Sequence, residues 1–365
     1  MFPVAIAAAL FAFLLVLPGS TPRAKRRRGL ASLERVTING AEQWILVRTH
    51  DVDNPVLLYV HGGPGTSQLT LNRRNTEALE ERFTVVNWDQ RGAGKSYRAI
   101  HDRDRMHLEQ FVDDVLELSQ QLAARFHQAK ITLVGHSWGS LISVLAVKKR
   151  PELFHAYVGL GQMSDAAEGE RISWEWTLAQ AKAAGDEKSV RKLEAIGPPP
   201  YTGDWPPKFI AERRMLGKYG GEFHGSRSGA FGVVIKNLLF SPEYTLVDRF
   251  NYFRGILGSM KLLMPELFQK NLFLEAPKLE VPVYFMLGRH DFEVPSVLSA
   301  KYFEALEAPK KSLTWFEHSA HMPNTEERER FNRMLLELVL PSLPGGSTQS
   351  VRSSSQAATL NPVDL

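Results

Sequence analysis

Cysteine is absent from all 365 residues. That excludes disulfides and thiol nucleophiles, and it leaves the redox compartment undecided. The eleven histidines show no ligand spacing such as H-E-x-x-H, so no metal site is indicated and no cofactor is called for. A complete phosphate loop is missing too. Gly92-Ala93-Gly94-Lys95-Ser96 resembles the end of one, but the opening glycine of G-x-x-x-x-G-K-[ST] falls on Asp89. Surplus charge is lacking outside one run. Arg23, Lys25, Arg26, Arg27 and Arg28 precede the first acidic residue, and without these five the 44 basic residues fall to 39 against 40 acidic ones. A body so near neutrality argues against a nucleic-acid partner.

What is present begins with Gly135-His136-Ser137-Trp138-Gly139, directly after the apolar run Ile131-Thr132-Leu133-Val134. This is a G-x-S-x-G turn between a strand and a helix, the setting that exposes a serine hydroxyl above a sheet. The first glycine leaves room for the turn, and the second lets the backbone pass close to the strand. Upstream, His61-Gly62-Gly63-Pro64-Gly65 follows the run Val56-Leu57-Leu58-Tyr59-Val60. A glycine-rich loop in that place offers a backbone N–H to a developing oxyanion, and the amide of Trp138 offers a second. The two elements together read as a serine hydrolase, with Ser137 as nucleophile and an oxyanion hole from Gly62, Gly63 and Trp138.

A serine hydroxyl needs a histidine base, and the base needs a carboxylate to fix its tautomer. In this arrangement the chain order is Ser, then Asp or Glu, then His. The strand candidate over 282–287 ends in Gly288-Arg289-His290-Asp291. The next, over 312–316, runs into Glu317-His318-Ser319-Ala320-His321. Catalytic groups of open α/β sheets gather at the carboxyl ends of the strands, where both loops lie. Asp291 is the expected acid. His318 and His321 compete for the base, and His321 is preferred because its longer loop can reach back over Ser137. His61, His136 and His290 are expected in supporting roles.

These residues resemble the proline iminopeptidases (prolyl aminopeptidases) of the α/β-hydrolase fold. The resemblance rests on His61-Gly62-Gly63-Pro64-Gly65, on Trp88-Asp89-Gln90-Arg91-Gly92-Ala93-Gly94-Lys95-Ser96 and on the Ser-Trp-Gly-Ser elbow, and it covers roughly residues 33–340 apart from a divergent middle. It implies that Ser137, Asp291 and His321 form the triad and that Gly62, Gly63 and Trp138 line the oxyanion hole. There are departures. The family elbow begins Gly-Gly-Ser-Trp and the acid loop Gly-Arg-Tyr-Asp, where this chain has Gly-His-Ser-Trp and Gly-Arg-His-Asp. The family's glutamate-bearing pattern for the substrate amine is not evident in the middle segment. Arg91 is expected to brace neighbouring loops rather than touch substrate.

Along the chain, residues 34–49 read as a β-hairpin turning at Asn39-Gly40. Strand candidates follow near 55–60, 84–88, 130–135, 156–160, 281–287 and 312–316, with helical patterns over 107–126, 138–149, 296–306 and 325–340. Alternating strands and helices predict an α/β-hydrolase fold, a mostly parallel central sheet with helices on both faces. The core would span 29–162 and 278–340, interrupted by a mainly helical cap over 163–277, too long to be an unstructured loop. Most cap aromatics are expected in the cap's own core, with a few walling an apolar pocket. Among its acids, Glu168, Glu170, Glu175, Glu212, Glu222 and Glu243 could each meet a free α-amine, although singly each reads as a surface carboxylate. Glu293, two residues after Asp291, is the first choice for that role, followed by Glu168 and Glu170.

Residues 2–17 are apolar apart from Pro3. As a helix they span about 24 Å, short of a hydrocarbon core of about 30 Å until flanking residues are included. The basic run lies after this stretch, none precedes it, and no clean cleavage site follows. Residues 1–28 are therefore read as an uncleaved membrane anchor with the body on the cytoplasmic side; the alternative is a signal peptide and secretion. Residues 341–365, rich in Ser, Gly, Pro and Thr, are expected to form a disordered tail. The leading functional reading is an aminopeptidase that releases N-terminal proline, or another small residue, from short peptides through an acyl-enzyme. A carboxylesterase acting on small or lipid-like esters is the alternative. A non-catalytic binding protein is disfavoured by the complete Ser, Asp, His set.

Overall fold

The computed structural model describes residues 19–24, 27–225 and 229–343. Eight strands form one sheet: β1 (Leu30–Ile38), β2 (Ala41–Thr49), β3 (Val56–Val60), β4 (Thr84–Asp89), β5 (Ile131–His136), β6 (Phe154–Leu160), β7 (Val283–Gly288) and β8 (Lys311–Phe316), in the order β1-β2-β4-β3-β5-β6-β7-β8. The β1–β2 and β2–β4 pairs are antiparallel and the other five are parallel. Asn39 and Gly40 close the hairpin at φ of 44° and 75°, the left-handed pair that a type I′ turn requires. Every residue of β3, β4, β5 and β7 is buried. That is why β3 and β7 read as continuous apolar runs, being covered on both faces. Alternate residues of β3 enter different cores, Val56, Leu58 and Val60 on one side and Leu57 and Tyr59 on the other.

The helices outside the insertion are α1 (Leu69–Asn75), α2 (Leu108–Arg125) and α3 (Trp138–Lys149) before β6, and α10 (Ser296–Ala305), α11 (Pro323–Glu326) and α12 (Arg328–Met334) after β7. Between β6 and β7, among the described residues, lie six more: α4 (Ala166–Ala183), α5 (Glu187–Ile196), α6 (Trp205–Lys218), α7 (Gly229–Phe240), α8 (Leu246–Leu267) and α9 (Leu272–Glu275). The single helix expected over 325–340 is broken. Glu327, at φ −121° and ψ 49°, turns its carboxylate back to accept the His318 N–H at 3.0 Å and the Ser319 hydroxyl at 2.8 Å. A π-turn over Leu335–Val339 then precedes Pro341, which has no N–H to continue the ladder.

The insertion lies directly on the glycine-rich loops. A Cβ at Gly255 of α8 would come within 2.5 Å of the Gly92 carbonyl oxygen, and one at Gly65 within 2.7 Å of the Gly255 oxygen. Only bare backbone allows three segments to approach so closely. Tyr244 donates to Asp89 at 2.6 Å and Lys95 pairs with Asp248 at 2.7 Å, fastening the start of α8 to the same loop.

The stretch expected to form an anchor, residues 2–17, lies outside the described residues, as does most of the expected tail, residues 344–365. Among the described residues no helix is long and apolar enough to cross a membrane. Part of the segment assigned to the anchor is joined to the body. Ser20 donates its N–H to the Pro242 carbonyl at 2.9 Å, and Arg48 donates to Thr21 at 3.0 Å and to the Pro22 carbonyl at 2.7 Å.

Arg91 is fully buried and makes a two-pronged ion pair with Asp114 of α2, at 3.0 and 3.1 Å. The same carboxylate accepts from Asn39 and Gln43 of the hairpin, both at 2.9 Å, and from Gln110 at 3.0 Å. One carboxylate thus joins the hairpin, α2 and the loop after β4. Asp114→Ala leaves a buried guanidinium unpaired and is expected to cost about 3–5 kcal/mol of unfolding free energy in urea titration. A loss under about 1 kcal/mol would mean that Arg91 finds another partner or water.

Candidate active site

Ser137 occupies the turn from β5 into α3 at φ 54° and ψ −123°, a region that side chains rarely adopt. Two features hold it there. Its N–H donates to the Leu160 carbonyl at 2.9 Å, and a Cβ at Gly139 would come within 2.1 Å of the Val60 oxygen, so α3 meets the end of β3 with nothing to spare. Trp138 opens α3, so its amide belongs to the first turn, where N–H groups have no acceptor within the helix. The positive end of the helix dipole points to the same place. Gly62 adjoins Ser137, since a Cβ on it would lie 3.0 Å from the serine Cβ.

The loop bearing Gly62 and Gly63 is tied to the loop after β4. Gln90 donates its backbone N–H to His61 Nε2 at 3.1 Å and its amide to the His61 carbonyl at 2.7 Å, while its side-chain oxygen accepts Trp138 Nε1 at 3.0 Å. With Nε2 accepting, His61 donates from Nδ1 to the Gly62 carbonyl at 2.8 Å. Burial lowers its pKa to about 4, so the ring is neutral.

His321 and Asp291 meet. His321 Nδ1 lies 2.9 Å from Asp291 Oδ2, and both residues are buried. The other carboxylate oxygen accepts the amides of Glu293 at 3.0 Å and Val294 at 2.9 Å, which fixes the acid's orientation. An Nδ1–H donor leaves Nε2 of His321 free to accept a proton. His318 is exposed, its amide held by Glu327. His136, next to Ser137, bonds from Nε2 to the His321 carbonyl at 2.9 Å and accepts Gln68 at Nδ1 at 3.0 Å. Burial, reinforced by His321, keeps His136 neutral. Gly161, at φ 47°, faces the His321 ring, since a Cβ there would lie 2.6 Å from it.

The insertion reaches this point through Gly221 and Glu222. The Gly221 carbonyl accepts the Phe292 amide at 3.0 Å and the Glu222 carbonyl accepts the His321 amide at 3.1 Å. Burial, then the Glu293 charge, raises the Glu222 pKa to about 8. Burial works against the charged form of His321, but Asp291, Glu293 and Glu222 outweigh it and raise its pKa to about 9. Three carboxylates therefore surround one imidazole. Glu326 holds the same loop, accepting the amides of Ala320 at 3.0 Å and Met322 at 3.1 Å together with that of His224.

Among the acids singled out from sequence, Glu293 is beside the site, where its charge acts on His321, Asp291 and Glu222. Glu170 lines a small cleft of about 20 Å³ with Glu293 but is ion-paired to Arg213, which also holds Glu212. Glu168 does not join them: it sits at the surface in a pair with Arg171, which lowers its pKa. Glu222, one of the cap acids that sequence offered for a free amine without preference, is the one brought beside His321, while Glu326 is a contributor that sequence reasoning passed over, because it lies in no recognisable pattern. A cleft of about 310 Å³ between α2, α3 and the end of α8 contains none of these residues. Among the described residues, no cluster of side chains is placed to hold a metal ion.

Comparison with known proteins agrees with this architecture. Residues 55–195 match the family model described as alpha/beta hydrolase fold. A protein of Bacillus subtilis named a probable aminopeptidase is 33% identical over 85% of this chain and 96% of its own length. A proline iminopeptidase of Heyndrickxia coagulans is 24% identical over 76% of this chain and 87% of its own. Among solved structures, a proline iminopeptidase-related protein of Thermus thermophilus superposes with a TM-score of 0.59 at 18% identity, covering 86% of this chain and all of that one.

Proposed function

The chain belongs to the α/β-hydrolase family, and from that premise we propose that it is a serine aminopeptidase releasing proline, or another small residue, from the N-terminus of short peptides. The observation that carries the reading is the set of carboxylates around His321. Asp291 serves the base, Glu293 adds negative charge beyond what a triad uses, and Glu222 adds more once it ionises, its pKa being raised to about 8. A capped, partly dry site with two spare carboxylates suits a substrate that brings its own cation.

Ser137 Oγ attacks the carbonyl carbon of the first peptide bond while His321 Nε2 takes its proton. The oxyanion is met by the amides of Trp138 and of the Gly62-Gly63 loop. Collapse of the adduct returns the proton to the leaving nitrogen and leaves the N-terminal residue esterified to Ser137. Water, deprotonated by the same imidazole, then releases it. The substrate's ammonium sits between Glu222 and Glu293, and the α4–α9 insertion excludes longer polypeptides. Residues 2–17 hold the chain at a membrane with the body on the cytoplasmic side, on the strength of their apolar run and the basic residues after it.

Glu222→Gln and Glu293→Gln test the amine site. Each is expected to raise KM for prolyl-naphthylamide by roughly ten-fold or more, about 1.4 kcal/mol, while KM for a neutral p-nitrophenyl ester stays put. The pH profile provides a second readout. A base must be neutral, so ester hydrolysis rises with pH through the His321 pKa near 9. Either substitution removes an anion that raises this pKa, so the rising limb moves to lower pH. Equal losses on both substrates would assign these glutamates to support of the triad. Unchanged amide hydrolysis in both variants would favour an esterase.

A further inference from the structure

Among the described residues, six of the seven large apolar side chains exposed on the insertion lie on two consecutive helices, Leu239 and Phe240 at the end of α7 and Val247, Phe250, Phe253 and Leu257 along α8, with Phe240 70% and Phe250 65% exposed. Arg249 joins the two groups, donating to the Leu238 and Ser241 carbonyls, both at 2.9 Å. Val247, Phe250, Arg254, Leu257 and Lys261 follow a three-four spacing, so they form one stripe of α8. The other side of that helix is already buried through Tyr252, Gly255, Ser259 and Leu263. An amphipathic helix would turn mainly polar residues outward, whereas this one turns outward large apolar groups with cations among them. The cations are interleaved with the apolar groups. Lys236, Arg254 and Lys261 are exposed, Arg254 lies over the Phe250 ring at 5.5 Å, and no acidic residue occurs between Arg249 and Lys261.

The N-terminal segment arrives at the same place. Gly19 is lodged so closely against the Glu243 carbonyl that a Cβ would come within 2.0 Å of it. Ser20 bonds to Pro242, two residues beyond Phe240. The apolar residues 2–17 therefore connect to the body beside the exposed stripe.

We propose that this face of α7 and α8 is a lipid-binding surface, lying on an anionic bilayer with its rings and aliphatic groups in the interfacial region and Lys236, Arg254 and Lys261 against lipid phosphates. Charge decides between occupants. Residues 2–17 carry no ionisable side chain, so folding them onto the stripe would set Arg254 and Lys261 against uncharged groups. A second copy packed by two-fold symmetry would oppose cations to cations. Anionic headgroups over acyl chains satisfy both halves of the stripe. The inference rests on the reading of residues 2–17 as an anchor.

The absence of cysteine makes the test clean. Phe250→Cys and Leu257→Cys are made singly in the full chain, with Glu329→Cys of α12 as an exposed control, and labelled with a nitrobenzoxadiazole dye. The labelled chains are reconstituted into phosphatidylcholine–phosphatidylglycerol vesicles. Dyes at 250 and 257 are expected to shift to the blue and to be quenched by lipids carrying a nitroxide on the acyl chain, while the dye at 329 does neither. A chain that floats with the vesicles but shows no quenching at 250 and 257 overturns the lipid surface and leaves the anchor standing. A blue shift without quenching does the same, by revealing a protein cover. A chain that does not float overturns the anchor, and the lipid surface with it.

Discussion

Ser137→Ala is expected to lower kcat by a factor on the order of 10⁶, about 8 kcal/mol of transition-state stabilisation, while leaving the protein folded. The substitution removes the proposed attacking oxygen and keeps the Cβ, so the backbone strain at φ 54° is the same in both proteins. Urea midpoints of the two should therefore nearly coincide. Ser137→Gly should differ. Glycine occupies this region without the side-chain penalty of order 1–3 kcal/mol, so the glycine variant should be equally inactive yet at least as stable as the alanine one. A fluorophosphonate should label the parent chain at Ser137 and neither variant. Labelling that persists at another serine would move the nucleophile elsewhere in the chain.

The sheet was legible because its inner strands are covered on both faces. Continuous runs such as Val56-Leu57-Leu58-Tyr59-Val60 announce themselves, and the elbow follows one of them directly. The hairpin was readable from Asn39-Gly40, although it begins at Leu30 rather than near 34, because its first residues are only partly buried and carry little periodicity. The last helix was read as one. Its interruption depends on Glu327 reaching back to Ser319, a tertiary contact that no local pattern encodes. The same reason left Glu222 one acid among several in the insertion. It lies between Gly221 and Phe223 in a segment without regular structure, and it reaches His321 only because backbone bonds from Phe292 and His321 draw that segment over the acid loop. Glu168 is one of the cap acids that singly read as surface carboxylates, and its place at the surface beside Arg171 follows from the facing of α4, which a single sequence leaves open.

The carboxylates also bear on when the site is ready. In the free protein they raise the His321 pKa to about 9, so near neutral pH most of the imidazole already carries a proton and is a poor base. An ammonium beside Glu293 and Glu222 would draw Glu222 into its ionised form and neutralise the charge that holds that proton. Amine binding and loss of the proton from His321 are then linked, each favouring the other by the same free energy. On the proposed reading, specificity for the amine then acts on kcat as well as KM.

His321→Ala carries the second large effect. It is expected to lower kcat by a factor on the order of 10⁶, close to the loss at Ser137, because nucleophile and base act as a unit and removing either disables both. A combined Ser137→Ala, His321→Ala variant should accordingly lose little more than either alone. His136 cannot take over, although its ring lies 4.6 Å from that of His321. Both of its nitrogens are engaged, by Gln68 and by the His321 carbonyl, and its pKa is held well below the usual histidine range. His318→Ala should change kcat less than ten-fold, since that ring is exposed and the Glu327 contact is made by its backbone amide. Steady-state rates on one ester and one prolyl amide, with circular dichroism to verify folding, decide the ranking. If His318→Ala lost the larger share, the Asp291–His321 pair would be a structural bond of the closed loop, and the working base would have to swing in from the surface.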